Sequence, residues 1–131
     1  MSDIHDLRSF LVALQAKGQL ARVRRPVSLV HELADVAAAL ERSGGPAPLF
    51  EQPQADGVWP WPVFSSAVAH PDRVALALGC TRAEVVDVMG RVMDPANGVA
   101  LQEVADAPWK KNVVRGDRVD IRRLPIPTHA E

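Results

Sequence analysis

The sequence predicts an α/β layer domain, because apolar residues at helical spacing alternate along it with short strand-like runs. Leu7, Phe10, Leu11 and Leu14 form one helical stripe, and Leu33, Val36, Ala37 and Leu40 form a second. Leu20–Val23, Pro48–Phe50 and Val63–Ala67 are short, largely apolar runs of strand length. With 131 residues the chain can build one core, burying about two-thirds of its unfolded surface.

The first helix is expected over Ile4–Lys17, capped by Ser2 or Asp3 and stopped by Gly18. Leu20–Val23 alternates apolar and polar residues and reads as a strand that Pro26 ends. A second helix follows over Val30–Ser43, and Gly44-Gly45 terminates it before the strand Pro48–Phe50. Residues 52–62 read as a loop carrying Pro53, Pro60 and Pro62, and Val63–Ala67 reads as a second central strand.

Pro71 at a helix start and Asp72 in its first turn predict a short helix to Leu78. Thr81-Arg82-Ala83-Glu84 has the capping-box pattern, and Val85, Val88, Met89 and Val92 carry a further helix to about Met93. Asp94–Gly98 is a turn cluster, and Val99–Val104 reads as a strand or an extended segment. Lys110–Val114 and Arg118–Ile121 are expected to pair as a hairpin across Arg115-Gly116-Asp117. Pro125 and Pro127 fix φ and push their predecessors toward extended geometry, so Leu124–Thr128 should be stiff and non-helical. The chain thus divides into a domain over 1–123 and a proline-stiffened arm over 124–131.

Composition removes several function classes. The apolar fraction is 47%, the charged fraction 24% and the net charge −1, which gives no global pull toward nucleic acid or anionic membrane. Arginines cluster at Arg22, Arg24 and Arg25 and at Arg115, Arg118, Arg122 and Arg123, where solvated strand edges and loops are the ordinary reading. A single cysteine, Cys80, fits a reducing compartment and a structural thiol. No apolar run reaches membrane-spanning length, and a cytoplasmic protein is expected.

No catalytic constellation is visible. His5 and His31 lack a second ligand at helical metal-site spacing, and His70 reads as a loop or cap residue beside Pro71. His129 and Glu131 would point the same way in an extended arm, although a tail so placed is more often disordered than metal-binding. No phosphate-binding glycine loop and no nucleophile elbow are present. Trp59-Pro60-Trp61-Pro62 is the one unusual loop. Its two indoles either close over the domain's own core, the commoner role, or present a surface to a partner or ligand.

Four stretches carry a resemblance to a known family. Asp120-Ile121 followed by Leu124-Pro125-Ile126-Pro127-Thr128-His129 resembles the junction between the N-terminal and flavin domains of UbiD-type decarboxylases. Asp6–Leu11 with Gly18-Gln19-Leu20 is similar to that family's opening helix and first strand. Gly44–Glu51 resembles its glycine turn into a strand, and Arg73–Gly79 its next helix. The four occur in the family's order across nearly the whole chain.

The resemblance implies a reversible non-oxidative decarboxylase of aromatic or α,β-unsaturated acids. It also implies prenylated FMN, a divalent metal (Mn or Mg) and potassium, bound in a split-barrel domain C-terminal to this one. The family's Glu-Arg-Glu catalytic set lies in that domain as well, so no catalytic, cofactor-binding or metal-binding residue is assigned here. The implied role is the N-terminal part or small subunit of an oligomeric enzyme completed by a separate catalytic chain. The alternative is a non-catalytic regulatory module or a truncated remnant. Candidate partner or cleft contacts are Trp59, Trp61, Pro125, Ile126, Pro127, Thr128 and His129. Ser65-Ser66-Ala67-Val68 departs from the family's Asn-Leu-Phe-Gly-like stretch, which puts any contact made there in doubt.

Overall fold

A computed structural model describes residues 4–129. Helix α1 (Leu7–Ala16) leads into strand β1 (Leu20–Ser28), helix α2 (Glu32–Arg42) and strand β2 (Ala47–Gln54). A two-residue strand β3 (Val63–Phe64), helix α3 (Pro71–Leu78) and helix α4 (Val85–Met93) follow. The sheet has the order β1-β2-β3, with β1 and β2 parallel and β3 antiparallel to β2.

The helix ends follow local chemistry. The cap residues expected for the first helix, Ser2 and Asp3, lie outside the described residues, and Asp6 caps α1 instead. Its Oδ1 accepts from the Ser9 N–H at 2.8 Å, and Ser9 Oγ accepts in return from the Asp6 N–H at 3.0 Å. At the end of α2 the Gly44 N–H donates to the Glu41 carbonyl and the Gly45 N–H to the Leu40 carbonyl, a paired closure that requires Gly44 at φ +67°. His70 Nδ1 accepts from the Asp72 N–H at the start of α3. The capping box at Thr81–Glu84 is formed, around a single 3₁₀ turn that runs into α4.

Three sequence expectations are corrected in the sheet. Pro26 does not end β1: the register shifts between Val23 and Pro26, and pairing resumes through Ser28. A missing N–H is tolerated because β1 is an edge strand and the irregularity absorbs it. Strand β2 is longer than expected and occupies the centre, whereas Val63–Phe64 is a short edge. Its brevity leaves β2 paired on both sides only at Leu49 and Phe50, so Pro48 and Pro53 disrupt no second ladder.

Adjacent strand residues face opposite ways, and this assembles the layers. Phe50 packs with Val27, Leu29, Leu33 and Ala37, joining β1, β2 and α2 into the main core. Leu49 and Phe64 border a groove shared with Leu7 and Leu11 of α1, where Phe10 meets Phe64 edge-to-face at 6.3 Å. Arg73 of α3 is 2% exposed and donates through Nη1 to the Gly45 carbonyl at 3.1 Å and to Gln19 Oε1 at 3.3 Å. It ties α3 to the two turns that feed β1 and β2.

After Met93 the chain changes character. The hairpin expected across Arg115–Asp117 is absent among the described residues. Short 3₁₀ turns at Pro108–Lys111, Gly116–Arg118 and Ile121–Arg123 replace it. The loop between the two candidate strands suits no two-residue hairpin turn, and neither strand has a partner ladder. Val99–Val104 is irregular.

Candidate functional site

The tryptophan loop is tied to Arg123, the residue before the proline arm, and the arm itself is held to the domain at Thr128. Trp61 N–H donates to the Trp59 carbonyl at 2.8 Å, a three-residue turn around Pro60. That turn sets the two indoles beside each other, with ring centroids 4.7 Å apart and planes tilted by 33°. On the Trp59 ring lies the Arg123 guanidinium, 4.5 Å from its centroid, while the Arg123 carbonyl accepts from the Trp59 N–H at 2.8 Å. Val58 at the root of the loop packs against the main core, whereas Trp61 remains half-exposed. The loop is anchored through Val58 and presents its indoles to the C-terminal segment.

The arm is not straight. Ile126 N–H donates to the Leu124 carbonyl at 2.8 Å, a tight turn around Pro125. Thr128 then bridges to Val30 in the parallel sense: its N–H donates to the Leu29 carbonyl at 2.9 Å, and its carbonyl accepts from the His31 N–H at 3.0 Å. Ile126 and His129 are exposed, and Pro125 and Pro127 are half-buried. Glu131 lies outside the described residues, as does any pairing of it with His129.

The backbone that grips Thr128 is strained. His31 has φ +63° and ψ −48°, and the Glu32 N–H donates to the Val30 carbonyl at 2.8 Å across it. This positive-φ three-residue turn is rare for a side-chain-bearing residue. Glu32 braces it from the other side. Its carboxylate accepts from the Ser28 N–H at 2.8 Å and from Arg25 Nη1 at 2.7 Å. The Ser28 N–H first, and Arg25 second, hold the Glu32 carboxyl below its ordinary value. The His31 side chain makes no capping bond. Substituting His31→Gly is therefore expected to relieve the turn and raise the unfolding free energy by about 1 kcal/mol, read from chemical denaturation. A loss of stability would show that the turn is unstrained.

Sequence reasoning named Trp59, Trp61 and Thr128 but missed Arg123 and His31. Arg123 was visible only as one member of an arginine cluster. The positive φ of His31 has no signal in a residue type that normally avoids it. Other arginines of the two clusters have ordinary surface partners: Arg22 meets Glu51 at 2.6 Å and Arg122 meets Asp120 at 2.8 Å.

Catalytic chemistry would need converging donors. Among the described residues no three His, Cys, Asp or Glu side chains are grouped as a metal ion would require. An open cleft of about 640 Å³ lies at the carboxyl ends of β1 and β2, with Ser28, Gln54 and Asp56 on its wall. Its lining holds no basic side chain to face a flavin phosphate. The donor set of this cleft does not fit a flavin phosphate. Cys80 borders a separate shallow groove with Lys17 and Arg82. Among the described residues no helix is long and apolar enough to cross a membrane.

These features define a small α/β domain: a three-stranded mixed sheet between helices, with its C-terminal segment clasped against the end of β1. The family model of the 3-octaprenyl-4-hydroxybenzoate carboxy-lyase N-terminal domain matches residues 11–93, and the chain belongs to that family.

Solved structures agree. An evolved dimeric form of the UbiD-class enzyme HmfF from Pelotomaculum thermopropionicum, in complex with prenylated FMN, superposes at a TM-score of 0.80 with 29% identity, covering 98% of this chain and 29% of that one. HmfF from the same organism in complex with FMN gives 0.76 with 30% identity, over 97% and 27% of the two chains. The apo 3,4-dihydroxybenzoic acid decarboxylase of Enterobacter cloacae gives 0.70 with 28% identity, over 96% and 28%. The chain thus spans less than a third of the length of each of these enzymes.

Proposed function

We propose that this chain is the N-terminal part or small subunit of a UbiD-type reversible decarboxylase, acting on an aromatic or α,β-unsaturated carboxylic acid. A separate catalytic chain completes it and holds prenylated FMN with a divalent metal and potassium, in an oligomeric, cytoplasmic assembly. The observation that carries this reading is the extent of the structural likeness. It covers nearly the whole of this chain, and three UbiD-class enzymes, two of them in flavin complexes, are each more than three times as long.

In this reading the chain contributes architecture. The arm over 124–131 leads toward the catalytic chain, and the clasp at Leu29–His31 with the Arg123–Trp59 stack sets where it departs from the domain. Trp59, Trp61, Pro125, Ile126, Pro127, Thr128 and His129 are the contacts assigned to that junction. The cofactor, when bound by the catalytic chain, supplies the electron sink for decarboxylation.

The test is mild affinity purification of the tagged chain from its host, with mass analysis and a visible absorption spectrum. A co-purifying UbiD-type polypeptide with flavin absorbance is the expected result, and deleting Leu124–Glu131 should reduce its recovery at least tenfold. A colourless chain recovered alone would overturn the proposal in favour of a non-catalytic module.

A further inference from the structure

Helix α1 opens on Asp6, Leu7 and Arg8 in succession, an apolar residue flanked by opposite charges. Phe10 and Leu14 turn inward and are buried, whereas Leu7, at the side of that face, is 56% exposed. With Leu11, Leu49, Pro62 and Phe64 it walls an open groove of about 460 Å³ between α1 and the β3 edge of the sheet. Asp6 and Arg8 complete the lining. Apolar walls with a charged rim are the make-up of a protein contact rather than of a site for a small polar ligand.

Both rim charges are open to a partner. Ser9 engages only Oδ1 of Asp6, at 2.8 Å through its N–H and 2.9 Å through its hydroxyl, which leaves Oδ2 for a second donor. Arg8 is exposed and takes part in no salt bridge among the described residues. Their order selects the occupant. A two-fold axis beside Leu7 sets two copies of α1 antiparallel, and residues 6 and 8, on either side of residue 7, then stand opposite each other twice. Each Asp6 meets the other copy's Arg8, while each Leu7 enters the other copy's groove. An isologous contact needs knob, hole and both charges on one patch, and this patch carries all of them.

We infer that the groove between α1 and β3 is a self-association surface, covered by the same face of a second copy of this chain. Leu7 is its centre and the Asp6–Arg8 pairs are its rim. The inference goes beyond the function proposed above and does not rest on it, because the surface is complete within residues 6–64.

Sedimentation velocity of the full chain, over a concentration series reaching the millimolar range, tests it. A weight-average mass rising toward twice that of the chain is expected. Leu7→Asp and Arg8→Glu should each weaken the association at least about tenfold, the second by setting like charges opposite each other twice. An acidic side chain in the first turn favours the helix dipole, so Arg8→Glu should not lower the thermal midpoint. Asp6→Lys should weaken association as well, with some loss of stability because it removes the cap. An equimolar mixture of the Arg8→Glu and Asp6→Lys chains should associate at least about tenfold more tightly than either alone, because unlike charges then face each other at both contacts.

A chain that stays monomeric throughout the series would overturn the inference. So would a dimer that Leu7→Asp and Arg8→Glu leave intact, or a mixture no tighter than its components. If the chain is monomeric by itself and Leu7→Asp abolishes recovery of a UbiD-type polypeptide from the host, the groove belongs to that polypeptide and the proposed function stands. Dimerisation through this face with no such polypeptide recovered would remove the proposed function and leave the inference intact.

Discussion

Replacing Phe50 with alanine is expected to lower the unfolding free energy by about 3–5 kcal/mol, the largest effect of any single core truncation in this domain. Phe50 is completely buried on the central strand and is the one aromatic member of the cluster formed with Val27, Leu29, Leu33 and Ala37. Its neighbours come from β1, the turn after it and α2, so the cavity left by truncation has walls on several elements. Each wall is held by backbone bonding and relaxes only in part. Domains of this size have total stabilities of roughly 5–15 kcal/mol, so the variant should lose a large share of that margin and unfold at a much lower urea concentration. Urea denaturation followed by far-ultraviolet circular dichroism measures it. A loss below about 1 kcal/mol would mean that the cluster repacks and is not the principal core.

The second large effect is expected at Arg73. Truncation to alanine should cost roughly 2–4 kcal/mol, because it opens a buried space and leaves the Gly45 carbonyl and Gln19 Oε1 without their donor. Burial presses the Arg73 guanidinium pKa below its ordinary value, with Glu41 opposing that shift, and its Nε has no partner. The charged head is thus held at some expense, and Arg73→Met, which keeps the stem and discards the charge, should lose distinctly less than Arg73→Ala. Equal losses from the two variants would show that the hydrogen bonds, not the packed stem, carry the effect. Both are compared with the parent chain by the same urea titration.

Much of the helical architecture was legible. The stripes Leu7–Leu14 and Leu33–Leu40 announced α1 and α2, Pro71 with Asp72 announced α3, and Thr81–Glu84 announced the turn into α4. These signals lie within a turn or two of chain, where spacing and capping chemistry act directly. The sheet was less legible. Pro26 reads locally as a stop, but strand β2 lies alongside and keeps β1 paired beyond it. Val63–Ala67 has the composition of a central strand, yet only two of its residues find a ladder. The supposed hairpin across Arg115–Asp117 failed for the same reason: strand propensity without a paired neighbour does not make a strand.

The candidate site divides in the same way. Trp59, Trp61 and the Pro125–Thr128 arm stood out in the sequence because indoles on a proline-stiffened loop and alternating prolines are unusual by themselves. The contact of Trp59 with Arg123, 64 residues away, was not readable, since a cation over an aromatic face leaves no periodic trace.

The amino-acid sequence by itself determined the helices, the capping box ahead of α4 and the glycine closure after α2, all consequences of short-range sterics and hydrogen bonding, and it carried the resemblance to the UbiD family. Only the tertiary structure decided which strand is central, that Arg73 is buried as a tie between turns, that His31 takes a strained positive φ to hold Thr128, and that the outer face of α4 stays in water. Each of these depends on groups distant in sequence competing for the same space and the same hydrogen-bond partners, and that competition is settled only when the chain packs.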